Sequence, residues 1–164
     1  MKNSQMGSLI ISEGIILIAS IIIAAGFSVT VLNQMGVFKS TLATAGAAEK
    51  EIALTRIKIL YATNSSSTQI DVWVKNIGTN QIVSLDKMDV YLGKLNNVQG
   101  IPYNAASPPK WTYTNSNGNV WQQKDSIKIT VTLDYSLETN VNYLVRIATP
   151  NGVSDDYIFS LTTT

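Results

Sequence analysis

The chain of 164 residues contains no cysteine and no histidine. Those absences remove thiol nucleophiles, disulfides, imidazole acid–base chemistry and the usual ligands of structural zinc. Charge is sparse as well. Only 14% of residues are Asp, Glu, Lys or Arg, and the formal net charge is +1. That leaves no electrostatic footprint for nucleic acid. No glycine-rich loop follows a strand and opens a helix, and no serine sits in a nucleophile elbow. The close acidic pairs are Asp155 with Asp156 and Asp86 with Asp89. Adjacent strand residues point to opposite faces, so Asp155 and Asp156 are poor partners for a shared proton or metal. Solvated edge charges are the expected reading, and a loop calcium site is the alternative. No enzyme activity, cofactor or small-molecule substrate is expected.

What is present is an uncharged apolar run, GIILIASIIIAAGFSVTVL, over residues 14–32. Eighteen or more such residues match the ~30 Å hydrocarbon core of a bilayer as one helix. Secretory signal h-regions are shorter and end at a small-x-small site, so a retained helix is expected in preference to a cleaved signal or a buried core helix. Residues 43–54 (ATAGAAEKEIAL) are rich in strong helix formers and extend the helix, kinked near Gly36 or Gly46, into a stalk. Glu13 stands at the mouth of the apolar run. It reads either as a helix-start carboxylate capped nearby by Ser8 or Ser12, or as a salt-bridge partner for another subunit's N-terminus.

Near Thr55 the period changes from helical to alternating. Ile57, Ile59 and Tyr61 alternate with Lys58 and Leu60. So do Ile70, Val72 and Val74, then Met88, Val90 and Leu92, then Ile127, Ile129, Val131 and Leu133, then Val141, Tyr143, Val145 and Ile147. Tyr157, Phe159 and Leu161 form the last strand. Residues 64–68 read as a turn and residues 95–110 as a long loop. Residues 111–114 and 119–121 read as a hairpin about Asn117-Gly118. Seven or eight short strands without intervening helices predict an all-β, immunoglobulin-like antiparallel β-sandwich preceded by a long N-terminal helix; a small barrel is the alternative. The expected domains are 1–54, the membrane-spanning helix and stalk, and 55–164, an extracytoplasmic sandwich.

Candidate contact residues come from alternation. Trp73 faces away from Ile70, Val72 and Val74, and Leu144 faces away from Tyr143 and Val145. A large apolar residue on an outer face points to a partner contact. Trp111, Tyr113 and Trp121 cluster with Tyr103 and read either as core cover or as an adhesive patch. The strand from residue 155 onward is a candidate edge for pairing with another chain. Asn64-Ser65-Ser66 is an N-glycosylation sequon.

The segment ISEGIILIASIIIAAGF (residues 11–27), followed by a stalk and an all-β domain, resembles the archaeal type IV pilin superfamily. VKNIG (74–78) and DVYLGK (89–94) resemble, within it, the archaellum accessory proteins of the FlaG and FlaF type, FlaG first. Processed archaeal pilins typically carry Lys/Arg-Gly before the apolar segment, with Glu or Gln five residues into the mature chain. Here Gln5-Met6 precede Gly7 and Glu13 lies six residues past it, which favours an unprocessed membrane-held component. The resemblance implies a stator that fixes the archaellum motor to the cell envelope. Its helix would sit in the cytoplasmic membrane and its sandwich in the space beneath the S-layer. Its partners would be S-layer protein or a sister archaellum subunit, in a homo- or hetero-oligomer. The rival readings are a filament-forming pilin or archaellin-like subunit, and a carbohydrate-binding module using Trp111, Tyr113 and Trp121.

Overall fold

The structure, a computed structural model, describes residues 2–161, with side chains from residue 11 onward. It divides into two compact units, Met1–Ala47 and Ala48–Thr164. The first is the greater part of α1 (Lys2–Leu54), which is helical without interruption across Gly36 and Gly46. From residue 11 onward its large apolar side chains are exposed all round: Ile16, Ile23 and Phe27 are 66%, 71% and 71% accessible. Polar side chains within it are satisfied locally. The hydroxyls of Ser20, Ser28 and Thr30 donate to the carbonyls of Ile16, Ala24 and Gly26 at 2.7, 2.8 and 3.0 Å. Such back-bonding leaves no bare donor along the apolar surface. Among the described residues this is the one helix long and apolar enough to cross a membrane.

Glu13 does not start this helix. The helix begins at Lys2, which places Ser8 beyond its first turn and Ser12 and Glu13 about three turns inside it. The free N–H groups and the positive dipole end belong to the first turn only, so the helix-start reading of Glu13 and the capping reading of the two serines are corrected. The segment before the apolar run contains no proline, and the helix extends back through it to Lys2.

Among the described residues the second unit is built from ten strands: β1 (Ile57–Ser66), β2 (Gln69–Asn76), β3 (Ile82–Val83), β4 (Asp89–Lys94), β5 (Asn97–Ile101), β6 (Lys110–Thr114), β7 (Val120–Trp121), β8 (Ser126–Thr132), β9 (Asn142–Ala148) and β10 (Ser154–Ser160). One sheet has the order β1-β2-β8-β6 and the other β10-β9-β4-β5, with β3-β7 as a short ribbon. Every pairing between these strands is antiparallel. Alternation explains the packing. Val72, Val74, Ile129 and Val131 from one sheet and Val90, Leu92, Tyr143, Val145 and Ile147 from the other are buried in one core. The architecture is thus a β-sandwich after a long helix, as expected.

Four local expectations change. First, residues 64–68 are not all turn: β1 runs to Ser66, and the turn is Ser67-Thr68, so Asn64 lies on an exposed strand opposite Ile70. Second, Tyr61 does not continue the inward face of Ile57 and Ile59. A register shift between Ile59 and Tyr61 inserts Leu60 and turns Tyr61 outward, where it is 45% exposed. Third, the loop over residues 95–110 contains β5, joined to β4 by Leu95-Asn96. Glycines at 93 and 100 obscure this hairpin in the sequence. Fourth, β6 and β7 do not pair with each other. β6 adds to β8, while β7 crosses to β3. The Asn117-Gly118 turn exists, with Gly118 at φ +64°, but Trp121 is drawn into the core and parts the two strands.

Candidate interaction surfaces

The end of the sandwich at which α1 stops is closed by a polar collar. Leu54 would leave its carbonyl bare at the helix terminus. Instead it accepts Thr79 N–H at 2.9 Å and Asn80 N–H at 3.3 Å. Ile77 and Gly78 N–H both reach the carbonyl of Arg56 at 2.9 Å. Only glycine fits at 78, because a Cβ there would stand 2.6 Å from Arg56 N and from Leu54 O. Asn76, fully buried, holds the loop: its Nδ2 donates to Asn80 O (2.8 Å) and Trp121 O (3.3 Å), and its Oδ1 accepts Gly78 N–H (3.0 Å). Asn151 Nδ2 donates to Thr55 Oγ1 at 2.7 Å, and Thr55 Oγ1 donates to Glu51 O at 2.8 Å. The VKNIG segment is therefore the socket for the last helical turn. Its signal was present in the sequence as an asparagine and glycine straddling the end of a strand.

The outer face of the β10-β9-β4-β5 sheet carries a groove of about 310 Å³ lined by Tyr91, Leu95, Val98, Leu144 and Arg146. Leu144 is half-buried on this outer face, opposite Ile158, which is 54% exposed. Gly93 lets β4 and β5 approach closely, because a Cβ there would collide with Asn97 O. Arg146 grips Asp156 at its edge through two bonds of 2.6 Å. That hydrogen-bonded guanidinium holds the Asp156 carboxyl below the usual carboxylate range. The neighbouring Asp155 points the other way. It pairs with Lys58 Nζ at 3.1 Å and accepts Ile59 N–H of β1 at 2.7 Å. Among the described residues no group of three acidic side chains could hold a metal ion.

Trp73 lies on the outer face of the other sheet. Its ring is stacked on Tyr61 with centroids 4.5 Å apart and is half-buried by that contact. Trp111 and Trp121 are 1% and 0% exposed. They are core residues and offer no ring to a partner or a sugar. Trp121 also anchors its indole N–H on Asp125 O at 2.9 Å. Tyr113 is half-buried against the same core, and burial pushes its hydroxyl above the ordinary phenol range. Tyr103 stacks beside it, with centroids 5.9 Å apart. The adhesive-patch reading therefore loses two of its four rings, and the carbohydrate-binding reading two of its three. Asn64 is exposed, and Glu13 is exposed on α1.

A model of the archaeal-type flagellin family matches residues 7–159. The chain belongs to the archaeal-type flagellin family. Within the archaeal-type flagellins it resembles the archaellum periplasmic stator protein FlaG from Sulfolobus acidocaldarius, at 37% identity and TM-score 0.61. That match covers 65% of this chain and 100% of the FlaG chain. A chain in the FlaF–FlaG periplasmic stator complex of the same organism matches at 37% identity and TM-score 0.60, over 65% and 90%. The archaeal flagellum of Methanospirillum hungatei strain JF1 shares the fold over 93% of both chains, with TM-score 0.72 and 19% identity. No curated protein matches significantly. This archaeal-type flagellin is a structural archaellum component, and α1 is its candidate membrane anchor.

Proposed function

We propose that the chain is a stator of the archaellum, anchored in the cytoplasmic membrane by α1, with its sandwich in the envelope space. There it binds S-layer protein or a sister archaellum subunit. The observation that carries this reading is the 37% identity to a periplasmic stator protein whose whole solved chain is matched. The Gln5-Met6-Gly7 sequence supports it, since it lacks the basic residue expected before a processed pilin helix. A rotary motor needs a fixed reference, and a membrane helix joined to a rigid envelope domain supplies one. Leu144 and Trp73 are its contact positions. Deletion of the chain in its host tests the reading. Filaments that still assemble but no longer propel cells, together with recovery of S-layer or sister archaellum protein on the tagged full-length chain, are the expected results. A filament subunit is the second reading, favoured by the flagellum-like fold over 93% of the chain. It requires cleavage at Gly7 and the mature chain in shed filaments, which mass spectrometry of native filaments decides.

A further inference from the structure

A sandwich of two four-stranded sheets has four edges, and this one treats them unequally. Unpaired edges present free N–H and C=O groups that recruit other strands unless they are blunted. β1 is broken by two register shifts, and its Ile59 N–H is capped by the Asp155 carboxylate at 2.7 Å. β6 is covered by the chain at residues 102–104, where Trp111 N–H reaches Pro102 O at 3.0 Å and Asn104 N–H reaches Trp111 O at 2.9 Å. β10 carries Asp155 and Asp156 and lies beside β1. β5 has none of these devices. Asn97-Val98-Gln99-Gly100-Ile101 contains no charge, no proline and no bulge. Among the described residues, no group other than β4 bonds its backbone.

Hairpin geometry identifies which groups are free. Leu95-Asn96 is a two-residue connection, so its closing pair Lys94–Asn97 exchanges hydrogen bonds, and so does every second pair beyond it. Gln99 and Ile101 therefore face β4. Val98 and Gly100 turn their N–H and C=O outward to the edge. These same two residues place their Cα–Cβ direction on the grooved outer face, where Val98 lines the groove.

We infer that β5 is a docking edge for the β5 of a second copy of this chain, paired antiparallel about Gln99. A neutral strand does not repel its own copy, and its free groups are complementary to themselves under a two-fold rotation. Val98 of one copy and Gly100 of the other exchange both bonds, twice over, joining two four-stranded sheets into one of eight. Opposite each Val98 stands a glycine, so no side chain on the outer face is crowded, and the two grooves become continuous across the seam. The inference stands apart from the proposed function, because a second copy is the occupant whether the chain serves as stator or filament subunit.

The chain's lack of cysteine allows a direct test on the full-length protein in liposomes. In an antiparallel pair, residues opposed without hydrogen bonds have Cα atoms about 4.5 Å apart, inside the range a disulfide spans. Gln99→Cys is expected to oxidise to a covalent dimer as the main product, while Ser160→Cys on β10 stays monomeric. Gly100→Pro removes an outward N–H that β4 does not use, so the sandwich should fold with unchanged melting while cross-linking through Gln99→Cys is lost. A folded Gln99→Cys protein that remains monomeric, or cross-links no more than Ser160→Cys, overturns the inference. So does cross-linking that survives in a folded Gly100→Pro background. Because the two cysteine variants are compared without the proline, the test holds even if that variant fails to fold.

Discussion

Phe27 in α1 is 71% exposed and Trp121 in the sandwich is 0% exposed, although both are large aromatic residues. The difference lies in the pattern around each. Around Phe27 apolar residues occupy every side of the helix, interrupted only by Ser28 and Thr30, whose hydroxyls bond back to the helix, so no one face can turn inward and the helix depends on a bilayer or neighbouring helices for cover. Trp121 belongs to the single buried core that the alternating strands of the two sheets enclose. Uniform hydrophobicity demands an external solvent; periodic hydrophobicity builds its own. The two regions should therefore respond to opposite kinds of substitution.

The largest effect is expected inside the sandwich. Trp121→Ala removes a fully buried ring and its bond to Asp125 O, and should cost about 3–5 kcal/mol. Thermal melting of the full-length protein in detergent, followed through near-ultraviolet dichroism, reads this loss. Phe27→Ala should leave the same melting curve in place. The reverse substitution sharpens the contrast. Ile22→Lys puts a charge at the middle of the apolar run and should weaken membrane insertion by about 2.5–3.5 kcal/mol. Alkaline extraction of membranes should then release more of the variant, with sandwich melting unchanged.

Gly78→Ala attacks the socket for the last helical turn. The new Cβ meets two backbone atoms at 2.6 Å that cannot move independently. Destabilisation of about 1–3 kcal/mol is expected, with faster amide exchange at Thr79 and Asn80, whose protons bind Leu54 O. Unchanged exchange there would mean that the collar is not what orders the helix end. On the open face, Trp73→Ala should cost less, about 0.5–1.5 kcal/mol, because only the Tyr61 stack is lost.

How much of this was legible beforehand follows from the same contrast. The helix was plain, because nineteen uncharged residues in a row admit few alternatives. β2, β4, β8 and β9 were plain, because strict alternation marks a buried face. β5 was hidden because Asn97, Gln99 and Gly100 break the alternation, and an edge strand at the rim of a sandwich needs no continuous buried face. The supposed hairpin at 111–121 failed for a related reason. An Asn-Gly turn reports local backbone geometry, whereas strand partners are chosen by the burial of Trp111 and Trp121. Trp73 was placed on the correct face, yet its cover by Tyr61 depended on a one-residue bulge at Leu60 that no periodicity shows. The collar was missed because Asn76 and Gly78 mark a constrained loop without naming its partners, which are the backbone carbonyls of Leu54 and Arg56.

The smallest expected effect tests whether the charged rim of the sandwich matters to its stability. Asp156 has its pKa lowered in the folded chain, chiefly by its hydrogen bond from Arg146. A depressed carboxylate favours folding while it is ionised. Its contribution is thus fully present above the ordinary carboxylate range and disappears as the pH falls through the depressed value. Melting of the wild type and of Asp156→Asn should differ slightly at neutral pH and converge on acidification. The difference should also shrink in high salt, because both partners are open to solvent, with side-chain exposures of 51% for Arg146 and 40% for Asp156. A gap that persists at low pH would assign the role of Asp156 to packing in the groove beside Leu144 and Ile158. The apolar face would then outweigh the ion pair, and the rim of the sandwich would obey the same rule as its core.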